Sequence, residues 1–141
     1  MTAQEHCPGG PVAVNGRTPS RMGYGMGSLG RAPDSAEERA RSVVLLRRAF
    51  DLGVRMFDTA HYYGNGHANG LLAEAFADRR DDVVLATKAG AKVVTGSKVP
   101  MTAAQKPAEL RESVETNLET LGTDYLDLLY LRRMDFKPGL L

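Results

Sequence analysis

Short apolar runs alternate with helix-like apolar stripes along this chain. Four runs predict buried strands: residues 22–25, 54–57, 83–87 and 126–131. Three segments between them have helical spacing and predict helices: residues 35–53, 68–79 and 107–122. The order β-α-β-α-β-α-β indicates a parallel sheet with helices outside it.

Local signals mark the ends of two of these helices. Ser35, with Glu38 three residues later, has the pattern of a capping box, and Gly53 suits a helix C-terminus. Pro107 suits a first helical turn, and Gly122 suits the corresponding stop.

The segments outside these elements carry their own signals. Residues 1–11 are rich in glycine and proline, and we predict a flexible tail there. Asn15-Gly16 predicts a tight hairpin turn before the first strand. The connection over residues 89–106 is long and has no predicted element, which makes it a candidate functional loop.

The number of β/α units predicts the fold class. A (β/α)8 barrel needs about 250 residues, whereas this chain has 141. We therefore predict an α/β fold of the (β/α)8 TIM-barrel type, truncated to about its first four units. In this prediction residues 12–141 form the N-terminal half of the barrel, and a small β-hairpin precedes it. Because a four-stranded sheet leaves its edges unpaired, we also predict self-association through them.

Composition and charge narrow the classes of partner. The net charge is +1 and the basic residues are scattered, which argues against a nucleic-acid surface. No apolar run approaches the roughly 20 residues that span a bilayer, and the N-terminus has no apolar secretory segment. The single cysteine, Cys7, leaves no intrachain disulfide. We therefore expect a cytoplasmic protein without a nucleic-acid or membrane partner.

Three of the predicted strands run directly into an ionisable side chain. Asp58, Lys88 and Arg132 follow the second, third and fourth strands, and Tyr63 comes shortly after Asp58. The carboxyl ends of parallel strands meet at one edge of a sheet or barrel, so we expect these four side chains to share one rim.

This set of residue types has a coherent chemistry. An ammonium group beside a phenol stabilises the phenolate, and a carboxylate beside the ammonium keeps it charged and oriented. Lys88, Tyr63 and Asp58 could therefore form an activated phenol that protonates a developing alkoxide.

Two further motifs predict less. The glycines of residues 25–30 match a dinucleotide fingerprint as a string, but the following helix starts afresh at Ser35, so a loop over the barrel mouth is favoured. His61 and His67 are six residues apart and share no helix face, so no metal pair is predicted.

The segment from Gly53 to His67 closely resembles the first signature of the aldo-keto reductases. Residues 85–90 are similar to their strand-three lysine segment, and residues 118–131 to their helix-three and strand-four signature. The resemblance covers nearly the whole chain past the tail. It implies an NADP(H)-dependent oxidoreductase that reduces an aldehyde or ketone to an alcohol by hydride transfer.

The resemblance also implies roles by position. Tyr63 would be the general acid, Lys88 its activating partner and Asp58 the residue that holds Lys88. Gly25 and Met26 would face the cofactor or substrate through their backbone, with Asp58 also beside the cofactor. The long loop after Lys88 would wall the substrate pocket.

The chain departs from the family pattern in two positions. Arg132 stands where the usual tetrad has a histidine; arginine can donate to a carbonyl oxygen but cannot exchange a proton at neutral pH. Asn69 stands where a glutamate is common, and with Gly70 it is expected to weaken the second helix. In the family the groups that stack the nicotinamide, bind its carboxamide and hold the adenosine phosphate lie on strands five to eight. We therefore expect a polypeptide of these 141 residues alone neither to bind NADPH tightly nor to turn over.

Two other functions stay open on the residues themselves. The first is a Schiff-base aldolase on the same barrel, with Lys88 as the nucleophile and Asp58 and Tyr63 as proton shuttles. The second is a non-catalytic one: a truncated product, or a binding module that uses the half-barrel as a scaffold.

Overall fold

The computed structural model describes residues 7–96 and 101–134. Within these residues the strands are β1 (Gly23–Gly25), β2 (Met56–Asp58), β3 (Val84–Ala89), β4 (Ala91–Val93), β5 (Met101–Ala103) and β6 (Leu128–Leu131). The α-helices are α1 (Ala36–Asp51), α2 (His67–Phe76) and α3 (Pro107–Leu121). Single 3₁₀ turns cover Leu29–Arg31 and Arg80–Asp82.

One parallel sheet organises the molecule, with strand order β1-β2-β3-β6. The register aligns Gly25 with Asp58, Asp58 with Ala86, and Lys88 with Tyr130. Because right-handed crossovers join parallel neighbours, the three helices cover the same face of the sheet. Helix α1 packs on α2, and α2 packs on α3. The predicted alternation of strands and helices is therefore confirmed, and the carboxyl ends of all four strands lie at one edge.

The hydrophobic core fills the space between this sheet and its helices. Phe57 of β2 is fully buried and meets Phe76 of α2 with ring centroids 4.7 Å apart. Leu46 and Leu71 reach the same cluster from α1 and α2. Each such side chain stabilises the fold by about 1.5–3 kcal/mol when it is buried. This packing holds the strands in place, and with them their carboxyl ends.

The helix ends follow the sequence signals closely. The Ser35 hydroxyl accepts a hydrogen bond from the Glu38 amide (3.2 Å), and Gly53 follows α1 with φ 95°. Pro107 opens α3, and Gly122 ends it with φ 63°. Helix α2 ends at Phe76, three residues earlier than predicted.

No helix in the described part of the chain is both long and apolar enough to cross a membrane.

A hairpin at the amino end of the sheet is confirmed. Asn15 and Gly16 have φ of 47° and 77°, as a type I′ turn requires. Val14 and Arg17 exchange two backbone hydrogen bonds of 2.9 Å. The Arg17 guanidinium then donates to the Asp127 carboxylate (2.8 Å), which ties the hairpin to the segment that leads into β6.

The connection over residues 89–106 is not the unstructured loop that was predicted. Strands β4 and β5 form an antiparallel ribbon in which Ala91 pairs with Ala103 and Val93 with Met101. Each strand has three residues, too few to show an alternating pattern in the sequence. Residues 97–100 and the first half of the predicted tail lie outside the described residues.

Strand β6 pairs with β3 along one side. Leu129, Tyr130 and Leu131 are 42, 45 and 57% exposed, so apolar surface is open there within the described residues. Self-association through this edge stays a prediction.

Candidate active site

The strand ends bring Asp58 and Lys88 together. Asp58 is the last residue of β2 and Lys88 the penultimate residue of the adjacent β3. The Lys88 ammonium donates to the Asp58 carboxylate and, at 2.9 Å, to the Thr59 carbonyl. The Lys88 side chain is 16% exposed and that of Asp58 is 43% exposed. The lysine side chain is thus mostly buried, whereas its carboxylate partner is partly exposed to solvent.

The electrostatics keep Lys88 charged. Burial by itself lowers the pKa of Lys88, but the hydrogen bond and charge of Asp58, together with Tyr63, more than offset it. The net result is a Lys88 pKa above the ordinary value of 10.5. Lys88 is therefore an ammonium donor at neutral pH, and a poor nucleophile.

Tyr63 lies on the turn between β2 and α2. Its amide donates to the Ala60 carbonyl (2.9 Å), and its carbonyl accepts from Ala68 (3.2 Å). The Lys88 nitrogen lies 4.9 Å from the centre of the Tyr63 ring. The phenol, the ammonium and the carboxylate therefore form one cluster, as the sequence predicted from their places at the strand ends.

The glycine-rich segment after β1 packs on this tyrosine. A Cβ added to Gly30 would come within 2.7 Å of the Tyr63 Cβ, and one added to Gly64 would come within 2.0 Å of the Gly30 carbonyl oxygen. These close approaches explain why glycine is needed there. The 3₁₀ turn Leu29–Arg31 precedes α1, which begins only at Ala36, so no α-helix opens within the glycines of residues 25–30.

Gly25 and Met26 differ in how open their backbones are. A Cβ added to Gly25 would meet nothing within 4 Å. Met26 is fully buried; its amide donates to the Asp58 carbonyl (2.8 Å) and its carbonyl accepts from Gly30 (2.9 Å). Of the two residues predicted to contact the cofactor through their backbone, Gly25 is the one whose surroundings leave room for a ligand.

Arg132 follows β6 and lies on the same rim, but beside a different tyrosine. Its guanidinium carbon is 5.6 Å from the ring centre of Tyr62, and no hydrogen bond joins it to Tyr63 or Lys88 within the described residues. Tyr62 meets Tyr63 edge to face, with centroids 5.2 Å apart. Burial raises the pKa of Tyr62, and the charges of Arg132 and Lys88 offset part of this rise.

A cleft of about 550 Å³ opens in front of these side chains. Its lining residues come from the loops after β1, β2 and β6 and from the β4–β5 ribbon: Gly27, Arg31, Tyr62, Tyr63, Gly64, Asn65, Val93, Met101 and Arg132. This volume is within the range of small-molecule sites. The ribbon thus walls the cleft, as expected of the connection after Lys88.

A second, smaller cavity of about 170 Å³ lies behind Tyr62, between the ribbon and α3. His61 lines it, and burial lowers the pKa of His61 below its ordinary value. In the described part of the chain, no three His, Cys, Asp or Glu side chains form a group that could hold a metal ion.

Sequence reasoning missed a buried polar network behind the site. The Asn69 amide donates to Asn117 (3.1 Å) and Thr120 (2.9 Å) and accepts from the Thr59 hydroxyl (2.8 Å). Asn117 also accepts from the Thr87 hydroxyl (2.6 Å). Thr59 directly follows Asp58, and Thr87 directly precedes Lys88. The two strand ends of the site are therefore joined through side chains of α2 and α3.

Little in the sequence pointed to this network. Asn117 interrupts the apolar stripe of α3, and Asn69 was expected only to weaken α2. Both side chains are instead fully buried, and their amide groups are hydrogen-bonded. The sequence signal that could have identified the network is an amide side chain on a helix face whose other residues are apolar.

Comparison with known proteins gives a family and a fold. The model of the Aldo/keto reductase family matches residues 21–138. Pyridoxine 4-dehydrogenase of Escherichia coli is 38% identical over 117 residues, which are 82% of this chain and 40% of that protein. The chain therefore spans about two fifths of this curated relative.

Solved structures agree with this result. An aldo-keto reductase from Bacillus halodurans in its holo form superposes with a TM-score of 0.72 at 29% identity, over 86% of this chain and 39% of that one. An aldo-keto reductase from Klebsiella pneumoniae in complex with NADPH gives 0.69 at 28% identity, over 91% and 40%. The predicted (β/α)8-barrel fold, present here in part, is confirmed.

Proposed function

Since the chain belongs to the Aldo/keto reductase family, whose members are oxidoreductases, we propose that it carries the proton-transfer half of an NADP(H)-dependent carbonyl reductase site. The observation that carries this proposal is the cluster of Tyr63, Lys88 and Asp58. The Lys88 ammonium lies 4.9 Å from the centre of the Tyr63 ring and is bound to the Asp58 carboxylate. The substrate is an aldehyde or ketone, and the product is the alcohol.

The chemistry of the cluster follows from its charges. Tyr63 donates its proton to the oxygen of the carbonyl as that oxygen gains negative charge. The Lys88 ammonium stabilises the phenolate that remains, and Asp58 keeps Lys88 charged and pointed at the ring. Arg132 adds N–H donors and a fixed positive charge at the same rim, where they can stabilise the developing oxyanion.

The described residues fit part of a nicotinamide nucleotide. Gly25 leaves open space at the end of β1, and the Asp58 carboxylate is 43% exposed beside it. These two residues would hold the cofactor near Tyr63, whereas the Met26 backbone groups already have partners. When bound, the nicotinamide supplies the hydride. The NADPH in the Klebsiella pneumoniae structure supports this choice of cofactor.

The Schiff-base alternative fits the geometry less well. A lysine nucleophile must lose its proton, and burial in an apolar pocket would help it to do so. Here Asp58 raises the pKa of Lys88 against the effect of burial. The same contact that suits a proton-transfer cluster therefore opposes an aldolase.

The test is a chimera in which residues 21–134 replace the matching part of the E. coli pyridoxine 4-dehydrogenase, which supplies the rest of the barrel. We expect NADPH-dependent reduction of aldehydes, and a fall in kcat of about 100-fold or more in Tyr63→Phe, the size of a lost general acid. Tyr62→Phe is the matched control and should keep most of its activity. A Tyr63→Phe chimera as active as its parent would rule the proposal out.

A further inference from the structure

Positive charge is unbalanced in the cleft beside Tyr63. Two of its lining side chains are arginines, Arg31 and Arg132, and none is acidic within the described residues. The chain as a whole has 18 basic and 17 acidic side chains. The absence of carboxylates is therefore a local property of this cleft, and not a consequence of overall composition.

Five arginines elsewhere in the fold are ion-paired. Arg17, Arg39, Arg41, Arg79 and Arg80 each pair with an Asp or Glu side chain. Arg31 and Arg132 have no such pair in the described part of the chain.

The acid nearest to Arg31 in the sequence, Asp34, makes no ion pair with it among the described residues. Asp34 lies 3.2 Å from the His67 ring nitrogen and 3.8 Å from the Arg39 guanidinium. Arg31 is exposed at the end of its 3₁₀ turn, and its positive charge is therefore available to a ligand in the cleft. Arg132 lies over the Tyr62 ring, a contact that fixes a guanidinium without neutralising it.

The rest of the cleft suits an organic molecule. Val93, Met101 and the rings of Tyr62 and Tyr63 give it apolar and aromatic walls. A guanidinium presents paired N–H donors that match the oxygens of a carboxylate or phosphate. A ligand with an apolar body and one anionic group would satisfy both parts of this lining.

From this arrangement we propose that the substrate is an anionic carbonyl compound, an aldehyde or ketone that also carries a carboxylate or phosphate. Arg31 and Arg132 bind the anionic group while the carbonyl lies against Tyr63, and the five N–H donors of Arg132 allow it to contact both this group and the developing oxyanion. The proposal rests on the proposed function for the presence of a carbonyl. The phosphates of a nucleotide cofactor share the same anionic chemistry, so the experiment must separate the two sources.

The experiment measures binding to the 141-residue polypeptide, by NMR titration of the arginine side-chain and Gly27 amide signals. The probes are 4-formylbenzoate and its methyl ester, which differ by the negative charge and one methyl group. We expect the anion to bind about tenfold more tightly, as a charge-assisted contact predicts, and the preference to shrink as salt is added. Arg31→Gln and Arg132→Gln should each reduce it, whereas Arg48→Gln, on the exposed face of α1, should not.

Two results would overturn the proposal. The first is equal affinity for the anion and its ester. The second concerns the addition of NADPH or pyrophosphate to the protein with either probe bound. If the signals of both arginines then shift but neither probe is displaced, the two arginines bind cofactor phosphates. Because no turnover is measured, the outcome is independent of the acid role of Tyr63. A Tyr63→Phe variant should keep the preference for the anion even though its chimera loses activity.

Discussion

At the amino end of the sheet a buried charge holds the elements together, whereas at the carboxyl end neutral amides do so. Asp127, with a side chain that is 3% exposed, accepts hydrogen bonds from Arg17 and Arg80 (2.8 Å each) and from the Leu85 amide (2.9 Å). At the opposite end, Asn69 and Asn117 link the residues next to Asp58 and Lys88 without adding a charge.

This difference separates stability from chemistry. A buried charged pair fixes geometry strongly, but its field also acts on every ionisable group nearby. A neutral network fixes the strand ends and leaves the electrostatics of the site to Asp58, Lys88 and Arg132. The molecule thus has a charged network at the opposite end of the sheet from the reacting groups, and an uncharged network directly behind them.

The largest expected effect is at the charged end. Asp127→Asn removes the carboxylate that pairs with both Arg17 and Arg80, and leaves these two guanidinium groups without an ion-pair partner among the described residues. We expect the free energy of unfolding to fall by about 3 kcal/mol, as for other broken buried pairs. Urea unfolding followed by circular dichroism measures it.

The control for that substitution is Asp124→Asn, at an exposed position three residues earlier. Its effect should stay within about 0.5 kcal/mol, the usual range for surface changes. If Asp127→Asn were equally mild, the contacts of Asp127 with Arg17 and Arg80 would not stabilise the fold.

The next largest effect is at the neutral end. Asn117→Ala leaves the Asn69 amide and the Thr87 hydroxyl without one partner each, and we expect a loss of about 1–3 kcal/mol. Unlike the change at Asp127, it should also lower the pKa of Lys88. The reason is that the Lys88–Asp58 contact, which holds that pKa up, depends on the aligned strand ends.

The measurement is a pH titration of the Lys88 Cε signal by NMR in both variants. Asp127→Asn serves as the control that destabilises the fold without touching the site, and it should leave the Lys88 titration unchanged. Equal shifts in both variants would mean that the Asn117 network supports the fold only, with no positioning role.

The sequence predicted the parts of the site that follow a simple rule. Asp58 and Lys88 each end an apolar run, and parallel strands bring such ends together, so their meeting needed no knowledge of side-chain packing. Tyr63 could be placed because only a short turn separates it from Asp58. The helix boundaries at Ser35 and Gly122 followed from local backbone chemistry in the same way.

The remaining features depend on partners far apart in the chain. Arg17 and Asp127 are 110 residues apart, and Asn69 and Asn117 are 48 apart. Arg17, Asp127 and Asn69 look like ordinary surface residues in their own segments, and Asn117 is recognisable only as an amide within an apolar stripe. Their contacts follow only when the sheet and helices are packed in three dimensions, as does the pairing of β4 with β5.

The smallest expected effect concerns the charge at the site itself, and it appears only at alkaline pH. The pKa of Lys88 is raised in the folded state above its ordinary value of 10.5, so the folded chain binds this proton more tightly than the unfolded chain. The stabilisation is complete below pH 10.5 and is lost as the pH rises through the folded-state pKa. Lys88→Met should therefore lower the free energy of unfolding by at most about 1 kcal/mol at neutral pH, because Asp58 is partly exposed and solvent screens the pair.

The difference in the free energy of unfolding between the parent and Lys88→Met should narrow above pH 10.5, as measured by urea unfolding at a series of pH values. Lys92→Met, at an exposed lysine of the ribbon, controls for general alkaline effects. A parent-to-Lys88→Met difference that stayed constant across this range would show that the Asp58 contact does not stabilise the lysine charge.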